Sequence, residues 1–176
     1  MSLFRIRLNK DMQVNLRSFK QKVTKNAKQL RSFLTKLEKR SPKGLDNLAE
    51  YLSPQVWAET DCLSCANCCK SMSPTFTKTD IKRISAFLNT TPKAFTEEWL
   101  EYDKKDKDWL NKLRPCQFLD LKTNMCSIYE VRPADCAGFP HLTKKKMTEY
   151  IHVHKQNVEY CPATYKMVEK MNDLIG

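Results

Sequence analysis

Four cysteines fall within eight residues, Cys62, Cys65, Cys68 and Cys69, in the string Asp61-Cys-Leu-Ser-Cys-Ala-Asn-Cys-Cys-Lys70. Gaps of two residues let a short turn aim successive sulfurs at one centre, and thiolates are the ligands that soft metals prefer. Three ligands from one loop, joined by a remote cysteine followed by proline, is how ferredoxin-like segments wrap an iron–sulfur cluster. Cys161-Pro162 has that form. Structural zinc more often takes two separate two-ligand knuckles. Cys65 with Cys68 and Cys116 with Cys126 can be written that way, and Cys136 completes the set of eight. Eight thiolates would fill two four-sulfur sites, while one site with spare thiols is equally compatible with the spacing. Cys116 or Cys136 alone could be a small buried hydrophobe. Four cysteines in eight residues have no such packing rationale.

Redox compartment decides how eight cysteines are read. No apolar run approaches the roughly 20 residues of a spanning helix. The opening Met-Ser-Leu-Phe-Arg-Ile-Arg lacks the apolar centre of a secretory signal. A cytoplasmic location is therefore expected, where clustered cysteines serve metals or redox chemistry rather than disulfides. Adjacent Cys68 and Cys69 could pair with each other only under strain.

Other chemistry-bearing residues have simpler readings. His141, five residues beyond Cys136, is a candidate extra ligand, although eight thiolates already suffice. His152 and His154 read as the wetter face of a strand rather than a metal pair. Asp80 suits a helix cap, Asp120 a turn, and Asp135 an ion pair with Arg132. No Ser/His/Asp arrangement, phosphate loop or paired-carboxylate site is recognisable, so no catalytic residue is assigned.

These ligands need elements to deliver them. Leu16, Val23, Leu30 and Leu37 recur every seven residues, widened by Phe19, Ala27, Phe33 and Leu34, which predicts one amphipathic helix from about Lys10 to Arg40. A shorter helix is expected from Leu45 to Leu52, ahead of Pro54. The cysteine string reads as irregular backbone ending at Pro74. Thr77 with Asp80 makes a capping-box start, and Thr91-Pro92 opens another helix. The charged stretch Tyr102 to Asn111 reads as loop or frayed helix. Cys116–Asp120 and Met125–Tyr129 read as a β-hairpin, Arg132-Pro133 as the start of a short helical turn, Thr148–His154 as a strand, and Cys161-Pro162 as the start of a last helix.

The net charge of +11 is concentrated at one end. Residues 1–50 carry 13 Lys or Arg against 4 Asp or Glu, and the other 126 carry 18 against 16. The basic helix could pack its apolar stripe and solvate its lysines, or contact an acidic protein, nucleic acid or an anionic membrane surface.

The order C-x-x-C-x-x-C-C, then P-C-x-F-L-D, then C-S-I-Y-E-V-R-P-x-x-C and a final cysteine resembles the YkgJ-like cysteine-cluster family, over roughly residues 60–165. The resemblance implies zinc or iron chelation by Cys62, Cys65, Cys68, Cys69, Cys116, Cys126, Cys136 and Cys161. The family's last motif usually continues with arginine, whereas Ala137 stands here. The resemblance brings no agreed reaction.

The expectation is a mostly helical α+β protein, with a basic helical arm over 1–50 and a metal-stabilised cysteine-cluster domain over 51–176. Its expected function is iron binding, as an iron–sulfur cluster with a redox or partner-modifying role. The alternative is a structural zinc module for protein or nucleic-acid interaction.

Overall fold

The computed structural model describes residues 14–143 and 146–176. Along the chain run α1 (Leu16–Lys39), α2 (Leu45–Ala58), α3 (Cys62–Cys65), α4 (Asn67–Ser71), β1 (Thr75–Phe76), α5 (Lys78–Phe87) and α6 (Pro92–Trp99). They are followed by β2 (Leu100–Asp103), β3 (Asp108–Asn111), α7 (Ala134–Gly138), α8 (Ile151–Tyr160) and α9 (Pro162–Ile175). The class is mostly helical α+β, as expected. Two compact units form: one from the described residues up to Cys65 with Leu142–Gly176, the other from Ala66–His141.

The first unit is built from α1, α2, α8 and α9, with α1 packed on α8 and α9 and α2 packed on α9. Asn15 caps α1, its side chain accepting from the Ser18 amide at 3.0 Å, and Lys36 and Lys39 complement the far end. The helix thus starts later than the periodicity suggests. The part of that expectation over 10–13 lies outside the described residues. Phe19, Leu30, Phe33, Leu34 and Leu37 are buried, and Phe19 meets Tyr165 edge-on at 5.8 Å. Among the described residues, five exposed or half-exposed ion pairs lie in this unit's surface, including Arg31–Glu159 at 2.8 Å and Lys155–Glu38 at 2.6 Å. Such pairs contribute little each.

Two expectations fail here. The second helix does not stop at Leu52: α2 continues through Pro54 to Ala58, carried by buried Ser53 and Val56 on its inner face. Thr148–His154 is not a strand. A 3-10 turn over Met147–Tyr150 leads into α8, where Ile151, His154 and Val158 are all buried. Their i, i+3, i+7 spacing won over a short alternation of polar and apolar residues.

The second unit carries a three-stranded antiparallel sheet in the order β1-β3-β2. Phe76 faces Trp109, and Leu100 faces Asn111. The turn joining β2 to β3 is held by Asp103, whose carboxylate accepts from Lys105 at 2.8 Å and Asp106 at 3.3 Å. The stretch read as loop or frayed helix is therefore a hairpin. Its charged residues gather in the turn and mask the short strands. Thr77 and Asp80 make the capping box of α5, and Thr91 caps α6 with Pro92 in its first turn, as expected. Phe76, Ile81, Ile84, Phe95, Leu100, Phe118 and Ile128 form the core of this unit. Phe95 lies 6.3 Å from both Phe76 and Phe118. No described helix is long and apolar enough to cross a membrane.

Candidate metal centre

The second unit holds five of the eight cysteines. Ala66, in left-handed conformation (φ 45°), precedes α4, which carries Cys68 and Cys69. The cluster is therefore helical here rather than irregular. Successive side chains on a helix splay by about 100°, and the two sulfurs stand 3.9 Å apart. The amide of Cys116 donates to the Cys69 carbonyl at 2.8 Å and lays the next ligand segment alongside α4. The hairpin expected after it shrinks to a single bridge, Leu119 with Cys126, supported by Asp120 N–H to Met125 at 2.9 Å and Ser127 N–H to Phe118 at 2.8 Å. Asp120 itself holds the turn, accepting from Lys122 at 2.8 Å.

Cys136 arrives on α7, whose first turn is tied by two carboxylates. Asp80, 1 % exposed, accepts from the Ala134 amide at 3.1 Å and from Arg83 at 2.6 Å. Asp135 accepts from the Thr75 amide at 3.1 Å and lies 3.6 Å from His141 Nε2. The expected Asp135–Arg132 pair does not form; Arg132 donates to the Tyr129 carbonyl at 2.7 Å and lies over the Tyr129 ring.

Four thiols of this unit sense one another electrostatically. A hydrogen bond with Cys68 lowers Cys69 to about 7, against burial, with help from Lys70. Burial raises Cys116, and the charges of Cys69 and Cys126 add to it. Burial likewise raises Cys126, with Cys69 contributing. Cys136 is pushed highest, first by burial and then by Cys69, Asp135, Cys116 and Cys126. Protons or a cation must offset that repulsion.

Besides the main-chain amides of Phe118 and Ile128, which reach Cys116 and Cys126, a buried side-chain amide aims at this set. Asn111, 1 % exposed, donates its Nδ2 to Cys116 Sγ at 3.2 Å. Gln117 donates to Asn111 Oδ1 at 2.9 Å and to the Trp99 carbonyl at 2.9 Å, so the amide is turned with its N–H toward sulfur. The Asn111 main chain is pinned to Ser73 at 2.9 Å. Sequence reasoning missed Asn111, because one asparagine carries no pattern.

In the first unit, Asp61 opens α3 by accepting from the Leu63 amide at 3.0 Å. Cys62 is exposed, while Cys65 and Cys161 are 6 % and 7 % exposed. Burial raises Cys161, amides of Thr164 and Ala163 ease it, and the charge of Cys65 adds to it. His154, expected on a wet strand face, is fully buried on α8.

Among the described residues, no three His, Cys, Asp or Glu side chains surround a common metal position. The donor chemistry nevertheless fits a soft metal: half-buried cysteine sulfurs gathered in one unit, with the Asn111 side-chain N–H directed at one of them.

Comparison with known proteins agrees with that chemistry. An uncharacterized protein of the archaeon Methanocaldococcus jannaschii is 34% identical over 84 residues, 46% of this chain and 43% of that protein. The chain thus spans less than half the length of that relative. No solved structure matches. The CxxCxxCC family model, described as a "putative zinc- or iron-chelating domain", matches residues 61–162. The chain belongs to the CxxCxxCC family.

Proposed function

We propose that this protein is a cytoplasmic thiolate metal protein that binds iron, as an iron–sulfur cluster, in a redox or partner-modifying role. Cys69, Cys116, Cys126 and Cys136 are the proposed ligands in the second unit, with Cys68 beside them. Cys62, Cys65 and Cys161 are the proposed thiolates of the first. The observation that carries the reading is the gathering of half-buried thiols in one unit: the Cys68 and Cys69 sulfurs lie 3.9 Å apart, the Cys116 amide is bonded to the Cys69 carbonyl, and the Asn111 N–H is directed at Cys116 Sγ. Ionising several of them together is costly without a cation, and a metal removes that cost by binding the deprotonated sulfurs. Bound iron and sulfide would supply one-electron chemistry. The chain would contribute the thiolates, the apolar surroundings and the Asn111 N–H that tune it.

A zinc reading is favoured by one observation: Cys116 and Cys126 pack against the apolar core of their unit. That is the setting of a closed structural site, whose work is to hold a binding module together. Anaerobic purification of the full chain followed by metal analysis and visible spectroscopy tests both. Stoichiometric iron with broad visible absorption supports the first reading. A colourless, zinc-loaded protein replaces it with the second, and protein lacking either metal overturns both.

A further inference from the structure

Helix α1 buries one face and leaves the other strongly basic. Arg17, Lys20, Lys25, Lys28, Lys36 and Lys39 are all exposed, and none makes an ion pair among the described residues. Arg17, Lys28 and Lys39 recur every 11 residues, as do Lys25 and Lys36. Eleven residues close almost exactly three turns, so the cations form straight columns instead of winding around the helix. At 100° per residue the six fall within an arc of about 160°, and at 1.5 Å per residue they extend over about 33 Å. The opposite face is taken up by Phe19, Leu30, Phe33, Leu34 and Leu37 in the core.

We infer that this stripe is a docking surface for the phosphate backbone of duplex DNA. An interfacial membrane helix must bury its apolar face among lipids, but that face of α1 is already packed against α8 and α9. A protein partner would need apolar or aromatic anchors, and between the cations lie only polar residues such as Gln21, Thr24 and Ser32. Against an acidic protein the stripe would gain only exposed ion pairs, each of small worth. A polyphosphate rewards every such cation through counterion release. The absence of exposed aromatic residues along the stripe argues against single strands, which are held by base stacking. The B-form major groove is wide enough for a helix, whereas that of duplex RNA is deep and narrow.

The test uses the full chain and a fluorescent 20-base-pair DNA duplex of mixed sequence, titrated at about 50–300 mM salt. Six engaged cations predict a slope of about −5 for log affinity against log salt. Lys25→Gln/Lys28→Gln/Lys36→Gln is expected to reduce that slope by about three and weaken binding at least about tenfold at 100 mM salt. The exposed turn variant Lys104→Gln/Lys105→Gln/Lys107→Gln removes the same charge elsewhere and is expected to change affinity less than about twofold. Circular dichroism establishes that both variants are folded. An equal loss in the two variants, or none in the first, overturns the inference. So does the absence of duplex binding at 50 mM salt. Equal affinity for duplex RNA, or tighter binding to polyglutamate or phosphatidylserine vesicles, also overturns it.

Discussion

The amide of Cys116 donates to the carbonyl of Cys69 at 2.8 Å. A main-chain bond therefore brings two proposed ligands side by side without using either sulfur. Serine at position 116 keeps that bond and removes only the thiol. Cys116→Ser is expected to lose at least about tenfold in metal affinity. Its thermal midpoint should fall too, because structural metal can supply on the order of 10 kcal/mol of folding free energy. Metal content by mass spectrometry and a melting curve read the two effects separately. An unchanged metal content would remove Cys116 from the ligand set.

Asn111 offers a finer probe, since its N–H reaches Cys116 Sγ at 3.2 Å and Gln117 fixes which way its amide faces. Asn111→Leu removes the donor and leaves the Gln117 amide one acceptor short. The expected result is a 10–100-fold loss of metal affinity, in the range of about one to two decades typical for groups that orient ligands. If iron is bound, the reduction potential also shifts downward, because an N–H to sulfur favours the reduced, more negative state. A variant that is merely less stable, with unchanged affinity and potential, would make Asn111 a packing residue.

Asp80 predicts a pH dependence with a definite sign. Burial pushes its carboxyl up, but the Thr77 hydroxyl and amide, the Ala134 amide and Arg83 outweigh that and hold it below the ordinary carboxylate value. A depressed folded value contributes stability fully above the unfolded value of about 3.9, and the contribution is lost as pH falls through the lower, folded one. Asp80→Asn should therefore cost about 2–4 kcal/mol near pH 7, mainly from lost charge-assisted hydrogen bonds. Urea unfolding of both proteins should show that gap constant down to about pH 5 and closing only below about pH 4. A gap that widens on acidification would mean the neutral carboxyl is the favoured form.

Asp80 is legible in the sequence alone, because a Thr three residues ahead of an acid, followed by apolar residues at helical spacing, has one economical meaning. The same holds for α1, whose seven-residue repeat reports a long buried stripe, and for Pro92 and Pro162, which sit where a helix can begin. The sheet was hidden for a physical reason: β1 has two residues and β2 and β3 four each, too few for alternation to stand out beside a charged turn. The cysteines were legible as a set but not in their grouping. Spacing within 62–69 is local information, whereas the placement of Cys136 depends on Asp80 reaching Ala134 across 54 residues of sequence. That link is invisible in any short window.

His141 is the remaining candidate ligand, and its surroundings make a different prediction. It sits at φ 62° with its ring over Gly138, where an added Cβ would come within 2.7 Å of Cε1. Its Nε2 lies 3.6 Å from Asp135, the residue that also takes the Thr75 amide. Those contacts let the ring brace the end of α7, and so the backbone that carries Cys136, without binding metal. Asparagine tolerates the left-handed backbone, so His141→Asn should keep full metal stoichiometry while losing about 1 kcal/mol of stability. Gly138→Ala should cost about 1–3 kcal/mol by forcing the ring aside. Metal analysis and urea unfolding on both variants check this. Loss of metal from His141→Asn alone, with Gly138→Ala still loaded, would make His141 a ligand rather than a brace.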